Sequence, residues 1–278
     1  MVDIIDAIIR TRKTASEILT KSLNKIEGLS EKQLAEKILK EVRNYSEIFP
    51  EGYYSPPPSG IGILFDQKPF KRLRYDSLRN PEYWPSQDIT LNNESVSMLY
   101  FSPVDRETNM LGDVGCTIYQ GEDEEIKQHI KKCYDTILKI AQYTEVGMEF
   151  SQICKFASNL IKDELKMTKW TAANSDPNQS INLGHTVPGS FEKDLVFGNT
   201  FEEIKETIRI SRIALIDTAN FIIPETCAFT VESRLEDFDN PNLPSVHFHF
   251  IVCFRKGKKV ILENCNDIFK ATGMDYMN

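Results

Sequence analysis

No stretch of this 278-residue chain comes near the ~18 consecutive apolar residues that a membrane-spanning helix needs. Basic charge is also scarce. Lys and Arg number 33 against 41 Asp and Glu, a net charge of -8, whereas a nucleic-acid-binding face needs a concentrated basic patch. The one basic stretch, Lys71-Arg72-Leu73-Arg74, is short and reads as a solvated loop. The N-terminus, Met1-Val2-Asp3-Ile4-Ile5-Asp6, lacks a basic region and places an acid before its apolar residues, which is not the pattern of a secretory signal. There is no Cys-x-x-Cys pair. Cys116, Cys133, Cys154, Cys227, Cys253 and Cys265 are scattered, mostly in apolar surroundings. They read as buried thiols of a reducing cytoplasm, against a disulfide framework or a zinc knot. What is present is ordinary for a soluble globular protein: 41% apolar and 27% charged residues, in a chain long enough for one large domain or two small ones.

Helical spacing of Ile4, Ile8, Ile9, Ile18, Leu19, Leu23 and Ile26 predicts a helix over residues 3–27. A second should begin at Ser30, a good N-cap with Gln33 completing a capping box, and run to about Asn44. Ile61 to Phe65 reads as a strand after a Pro-rich stretch. Residues 66–90, with Tyr75, Tyr83 and Trp84, read as a long ordered loop. Val96 to Val104 and Met110 to Gln120 form two strands around a turn at Asp105–Asn109. Helices are expected at about 123–142, 149–166 and 200–213, and a loop through Asn174-Ser175-Asp176-Pro177-Asn178. Strands are expected near 181–187, 213–218, 226–233, 246–254 and 258–263. The helix hairpin around Gly28-Leu29-Ser30 recurs 119 residues later around Gly147-Met148-Glu149. This echo predicts one domain over 1–278, built of halves of about 1–120 and 121–278 related by a pseudo-twofold.

Three short motifs carry the chemistry. Asp113 lies in Gly112-Asp113-Val114-Gly115-Cys116-Thr117, His185 in Leu183-Gly184-His185-Thr186, and Glu232 ends the apolar run Phe229-Thr230-Val231-Glu232. Carboxylates and a neutral imidazole are ligand types that borderline divalent metals accept. The order and context of these motifs resemble the methionine aminopeptidase, prolidase and creatinase family, the metal-dependent aminopeptidases of the pita-bread fold. The Asp113 segment with Gly121 resembles the family's Ser-Asp-x-x-Arg-Thr strand, and Gln142 to Ser158 its helix hairpin. Asn182 to His185 resembles its Gly-His strand, Pro224 to Glu232 its Phe-Thr-Ile-Glu segment, and Val252 to Gly257 its closing strand and turn. The resemblance implies an α+β fold in which helix pairs cover a curved antiparallel sheet that cups the metals.

Active relatives hold two metals with two aspartates, one histidine and two glutamates. A turn centred near Arg106-Glu107 would put Tyr100 directly opposite Asp113, in the place of the family's first aspartate. A phenol is a poor substitute for a bidentate carboxylate at neutral pH. Asp105 reads as a turn residue. No glutamate occupies the place of the family's last ligand, where Val246-His247-Phe248-His249 stands. His247 and His249 point to one face of a strand, and one of them is expected to act as ligand or catalytic group. Asp113, His185, Glu232 and His249 would then form a ligand set suited to a single Zn, Mn or Fe ion, with His185, His247 and Glu232 in catalytic roles. Glu192 stands where many relatives carry a non-ligand histidine, in charged surroundings that suit a surface position. The expected activity is hydrolysis of a peptide or small amide by a metal-activated water, in a protein binding neither nucleic acid nor membrane and compatible with a homodimer. The alternatives are a mononuclear or metal-free small-molecule hydrolase or lyase, and an inactive peptide-binding module.

Overall fold

A computed structural model describes residues 3–173 and 181–277; the loop expected at Asn174–Asn178 lies outside them. Helix α1 (Ile4–Ser22) starts at Asp3, whose carboxylate accepts from Ile5 N and Asp6 N at 2.9 and 3.2 Å. It ends earlier than its periodicity suggests. Lys25 turns the chain with φ 56°, yet Leu23 and Ile26 stay buried beyond the helix end, so the apolar pattern outlasts the helix. Helix α2 (Glu31–Val42) carries the Ser30–Gln33 capping box read from the sequence.

The 66–90 loop is ordered around Glu31. That carboxylate, fully buried, accepts from Phe65 N (2.7 Å), Ser86 N (2.9 Å) and Arg72 Nη2 (2.9 Å). Arg74 reaches Glu236 at 2.8 Å and the carbonyls of Asp237, Asn240 and Leu243. The basic stretch is therefore not a solvated loop. Two of its three cations rivet the loop to the rest of the chain, because a buried carboxylate requires a paired cation.

Strands β1 (Ile61–Asp66), β2 (Val96–Phe101) and β3 (Val114–Tyr119) form an antiparallel sheet in that order. Helices α3 (Glu124–Tyr143) and α4 (Phe150–Leu165) pack on each other as α1 and α2 do. After β4 (Trp170–Ala173) and α5 (Phe201–Ser211) come β5 (Cys227–Val231), β6 (Arg234–Asp237), β7 (Val246–His247), β8 (Phe250–Arg255) and β9 (Lys258–Leu262), then α6 (Asn266–Ala271). They build two more antiparallel sheets, β4-β6-β7 and β5-β8-β9. The architecture is α+β with antiparallel sheets, as expected.

The expected strand at 246–254 is split. Its first part pairs with β6 and its second with β5 and β9, so Phe248-His249 carries the chain from one sheet to another. The expected strands at 181–187 and 213–218 are extended segments joined by isolated bridges, His185 to Ala214 and Thr186 to Phe229. The β1-β2-β3 sheet meets this region through Thr117, whose hydroxyl bonds His247 O and accepts from His247 N, and through His249 N donating to Gly115 O at 3.0 Å. All six cysteines are buried free thiols. Among the described residues no helix is long and apolar enough to cross a membrane.

Candidate functional site

The site begins with the β2–β3 hairpin. Asp105 organises its turn. Oδ1 accepts from Glu107 N (3.1 Å), Thr108 N (2.8 Å) and Thr108 Oγ1 (2.7 Å), and Oδ2 pairs with Arg10 at 2.8 Å. With Asn109 at φ 60°, this closes the turn between Asp105 and Met110, one residue later than the sequence suggested. The register moves accordingly. Tyr100 pairs with Gly115 instead of Asp113, and its continuation sets Ser102 across from Asp113. A shift of two positions preserves the face, so Tyr100 still reaches the carboxylate diagonally, its hydroxyl donating to Asp113 Oδ2 at 2.9 Å. The Tyr53 hydroxyl donates to the same oxygen at 2.8 Å.

Glu232 follows β5 directly, and Thr230 Oγ1 donates to its Oε1 at 2.9 Å. His185 comes from the bridged segment beside β5, its backbone locked by Thr230 N donating to His185 O at 2.7 Å. Its Nε2 lies 3.1 Å from Glu232 Oε1 and its Nδ1 2.8 Å from the Thr186 carbonyl. A carbonyl only accepts, so a proton belongs on Nδ1, while Nε2 stands between the Glu232 carboxylate, which accepts, and the Arg212 guanidinium at 3.2 Å, which donates. His249, at the crossing between sheets, points Nε2 between Asp113 Oδ2 (3.8 Å) and Glu232 Oε2 (3.7 Å). His247 lies on the same side. Both histidines close over Gly115, where a Cβ would sit 2.4 Å from His247 Nε2 and 3.2 Å from His249 Cβ.

Two arginines and Tyr53 complete the centre, and sequence reading missed all three. Arg12, on α1, is 0% exposed. Its Nη2 donates to the carbonyls of His249 (2.7 Å) and Glu263 (2.6 Å), and Nη1 lies 3.4 Å from His249 Nδ1. Arg212, just after α5, puts Nη1 3.2 Å from His185 Nε2. A signal for Arg12 was there to read: it falls in helical phase with Ile5, Ile8, Ala15 and Leu19, a charge at a core position. Arg212 and Tyr53 carry no comparable mark. Glu192 closes a local turn by accepting from Gly189 N at 2.9 Å.

Burial and neighbours shift the two carboxylates in opposite directions. Burial, then repulsion from Glu232, raises Asp113 to about 6 in spite of its two tyrosine donors. Glu232 meets the same burial, but His185, His249 and His247 facing it outweigh that and hold it well below the usual carboxylate range. Burial lowers His247 to about 4 and His249 further still, while the Glu232 carboxylate pulls both the other way. Tyr53 and Tyr100 are pushed well above 10 by burial and by Asp113, and remain donors.

Tyr100, His185, Glu232 and His247 face a cavity of about 220 Å³, together with Tyr54, Arg79 and Arg212. That is just below the ~300–1,000 Å³ of typical ligand pockets, which suits a small molecule or one end of a peptide. Asp113 and His249 lie beneath, outside its lining. The four side chains expected to hold an ion, Asp113, His185, Glu232 and His249, are drawn together. Among the described residues, however, no group of three or more His, Cys, Asp or Glu side chains is arranged to hold a metal. The reason is visible in the donors. Asp113 Oδ2 receives two tyrosine hydroxyls, Glu232 Oε1 receives Thr230, and a guanidinium faces the His185 lone pair. As they stand these residues do not fit the metal centre that the fold implies.

No protein-family model matches the chain, and no curated protein matches it. Solved structures do. An X-Pro aminopeptidase from Thermotoga maritima superposes on 93% of the chain at 13% identity with a TM-score of 0.62. A prolidase from Thermococcus sibiricus covers 94% at 15% identity and TM-score 0.61. A histidine-to-alanine variant of Escherichia coli aminopeptidase P covers 97% at 10% identity and TM-score 0.64. The chain spans 60%, 58% and 57% of those chains respectively. The likeness establishes the pita-bread fold.

Proposed function

We propose that the protein is a peptide- or amide-bond hydrolase of the aminopeptidase type, with His185 as its base. One observation carries the reading. His185 Nε2, its ring fixed through Nδ1, faces the buried Glu232 carboxylate at 3.1 Å on the wall of a small cavity. A water attacking the amide carbonyl gives its proton to Nε2, and Glu232 stabilises the imidazolium. The same proton then passes to the leaving amine as the C–N bond breaks, yielding acid and amine. Arg212 is placed to bind the developing oxyanion or a substrate carboxylate, and His247 and Tyr100 to shape the pocket. The names of the similar structures, X-Pro aminopeptidase and prolidase, support a substrate with a peptide bond. The cleft is taken to sit where two related halves meet, each a helix pair followed by strands.

The test is a panel of amino-acid anilides and Xaa-Pro dipeptides, with wild type beside His185→Gln. Wild type should hydrolyse at least one compound, and the variant should lose ~10²–10⁴-fold in kcat with KM nearly unchanged. No turnover of any compound, or an equally active variant, defeats the reading.

A further inference from the structure

Asp113 and Glu232 are buried within one centre, 1% and 2% exposed, and buried charges of one sign need cations beside them. The cations facing them here are guanidiniums. Arg12 is fully buried against the His249 segment, and Arg212 faces His185 on the wall beside Glu232. We propose that Arg12 and Arg212 stand in place of metal ions in this centre, supplying its positive charge and fixing the tautomers of His249 and His185, so that it is complete without a divalent cation.

Three details carry this. First, the Arg212 guanidinium stands 3.2 Å from His185 Nε2, where its positive charge repels a cation from that nitrogen but leaves a neutral water free to approach. Second, the contact of Arg12 Nη1 with His249 Nδ1 assigns the lone pair of that neutral ring to Nδ1 and its proton to Nε2. His249 therefore presents an N–H, not a lone pair, to Asp113 and Glu232. Third, His249 Nε2 and Asp113 Oδ1 have no hydrogen-bond partner. One is a donor and the other an acceptor. That combination calls for a water or a polar group of substrate, whereas a cation would need lone pairs on both.

Arg12 is built in. At Gly112 a Cβ would meet Arg12 N and Thr11 C at 2.4 Å, so the glycine lets α1 lie directly on the approach to β3. From there the arginine spans to His249 and Glu263.

The proposal rests on the hydrolase reading only for what it says of turnover; its charge and tautomer content is tested separately. Protein purified without chelator should hold far less than one ion per chain by elemental analysis, and Zn²⁺ or Mn²⁺ titrated into it should give no tight binding. Nitrogen-15 spectra should place the His185 proton on Nδ1 and the His249 proton on Nε2, unchanged by EDTA. Arg212→Met, which removes a unit positive charge from beside His185 Nε2, should tighten Zn²⁺ binding on the order of 100-fold. A stoichiometric ion in wild type that His185→Ala removes, or a His249 proton on Nδ1, overturns the proposal even if Arg212→Met does not fold. Turnover that survives excess EDTA supports it, and turnover abolished by EDTA and restored by metal overturns it. If no amide is hydrolysed, the hydrolase reading falls, and the metal and tautomer measurements still decide this one.

Discussion

Asp113 and Glu232 are chemically alike and buried alike, yet one is raised to about 6 and the other is held well below the usual carboxylate range. The difference is the partner. For Asp113, burial and repulsion from Glu232 outweigh His185 and the two phenol donors, whereas for Glu232 the facing imidazoles outweigh burial. Raising an acid from 3.8 in the unfolded chain to about 6 in the folded one means the folded state keeps its proton longer. The associated stability is present below about pH 4 and is lost as pH rises to 6, a cost of at most about 3 kcal/mol above that. Asp113→Asn should therefore be more stable than wild type at pH 8, by up to ~3 kcal/mol, with the gap narrowing towards pH 5. Urea unfolding at the two pH values measures it, and a gap that widens on acidification would contradict the sign. His185, Glu232, Asp113 and the two strand histidines could be singled out from sequence because each sits in a short recognisable motif. Arg12 could have been, from its helical phase. Arg212 and Tyr53 could not, since nothing local distinguishes an arginine after a helix or a tyrosine in a Pro-rich loop.

Among the elements, those that obey a period were legible. Helices α2 to α5 and strands β1, β5 and β9 fall within a few residues of where spacing and capping place them. What escaped was set by contacts between elements. The turn at Asp105 is displaced by one residue because its carboxylate collects three donors and an arginine. The break at Phe248-His249 is invisible in a run that alternates without interruption, because the change of sheet is dictated by β5 and β6 and not by the run itself. The seam between β3 and β7 suggests an element-scale test. Gly115→Ala introduces a methyl 2.4 Å from His247 Nε2, so the histidine segment must move away from β3. A loss of roughly 1–3 kcal/mol is expected, as for other overpacked cores, together with loss of turnover. A variant that keeps wild-type stability and activity would mean that the seam is looser than the structure describes.

For the whole molecule, the buried histidines dominate the response to acid. Burial lowers His129 and His247 to about 4, from 6.5 when unfolded, and His249 moves the same way. Each of these contributes stability that is complete above pH 6.5 and disappears as pH falls towards 4, because the unfolded chain takes up protons that the folded one refuses. Asp113 works against them over part of the range, but one carboxyl does not balance three imidazoles. The thermal midpoint should fall steeply between pH 6.5 and 4. His129 is well suited to show it, since it bonds the Pro244 carbonyl (3.1 Å) outside the cavity lining. His129→Gln should make the dependence shallower by about 1.4 kcal/mol per pH unit, the worth of one proton. An unchanged slope would place the acid response elsewhere.

The seam where His249 N bonds Gly115 O also joins two parts of the chain that share ownership of the centre. Asp113, Tyr53, Tyr100 and Arg12 come from the first 120 residues, and His185, Arg212, Glu232 and His249 from the remainder. Each portion carries one arginine and one carboxylate of the centre, and each alone would expose those ionic groups on the face that the other covers. Two separately synthesised fragments cut between β3 and α3 would thus have a strong reason to find each other, and reassembly of the centre would be the signal that they had.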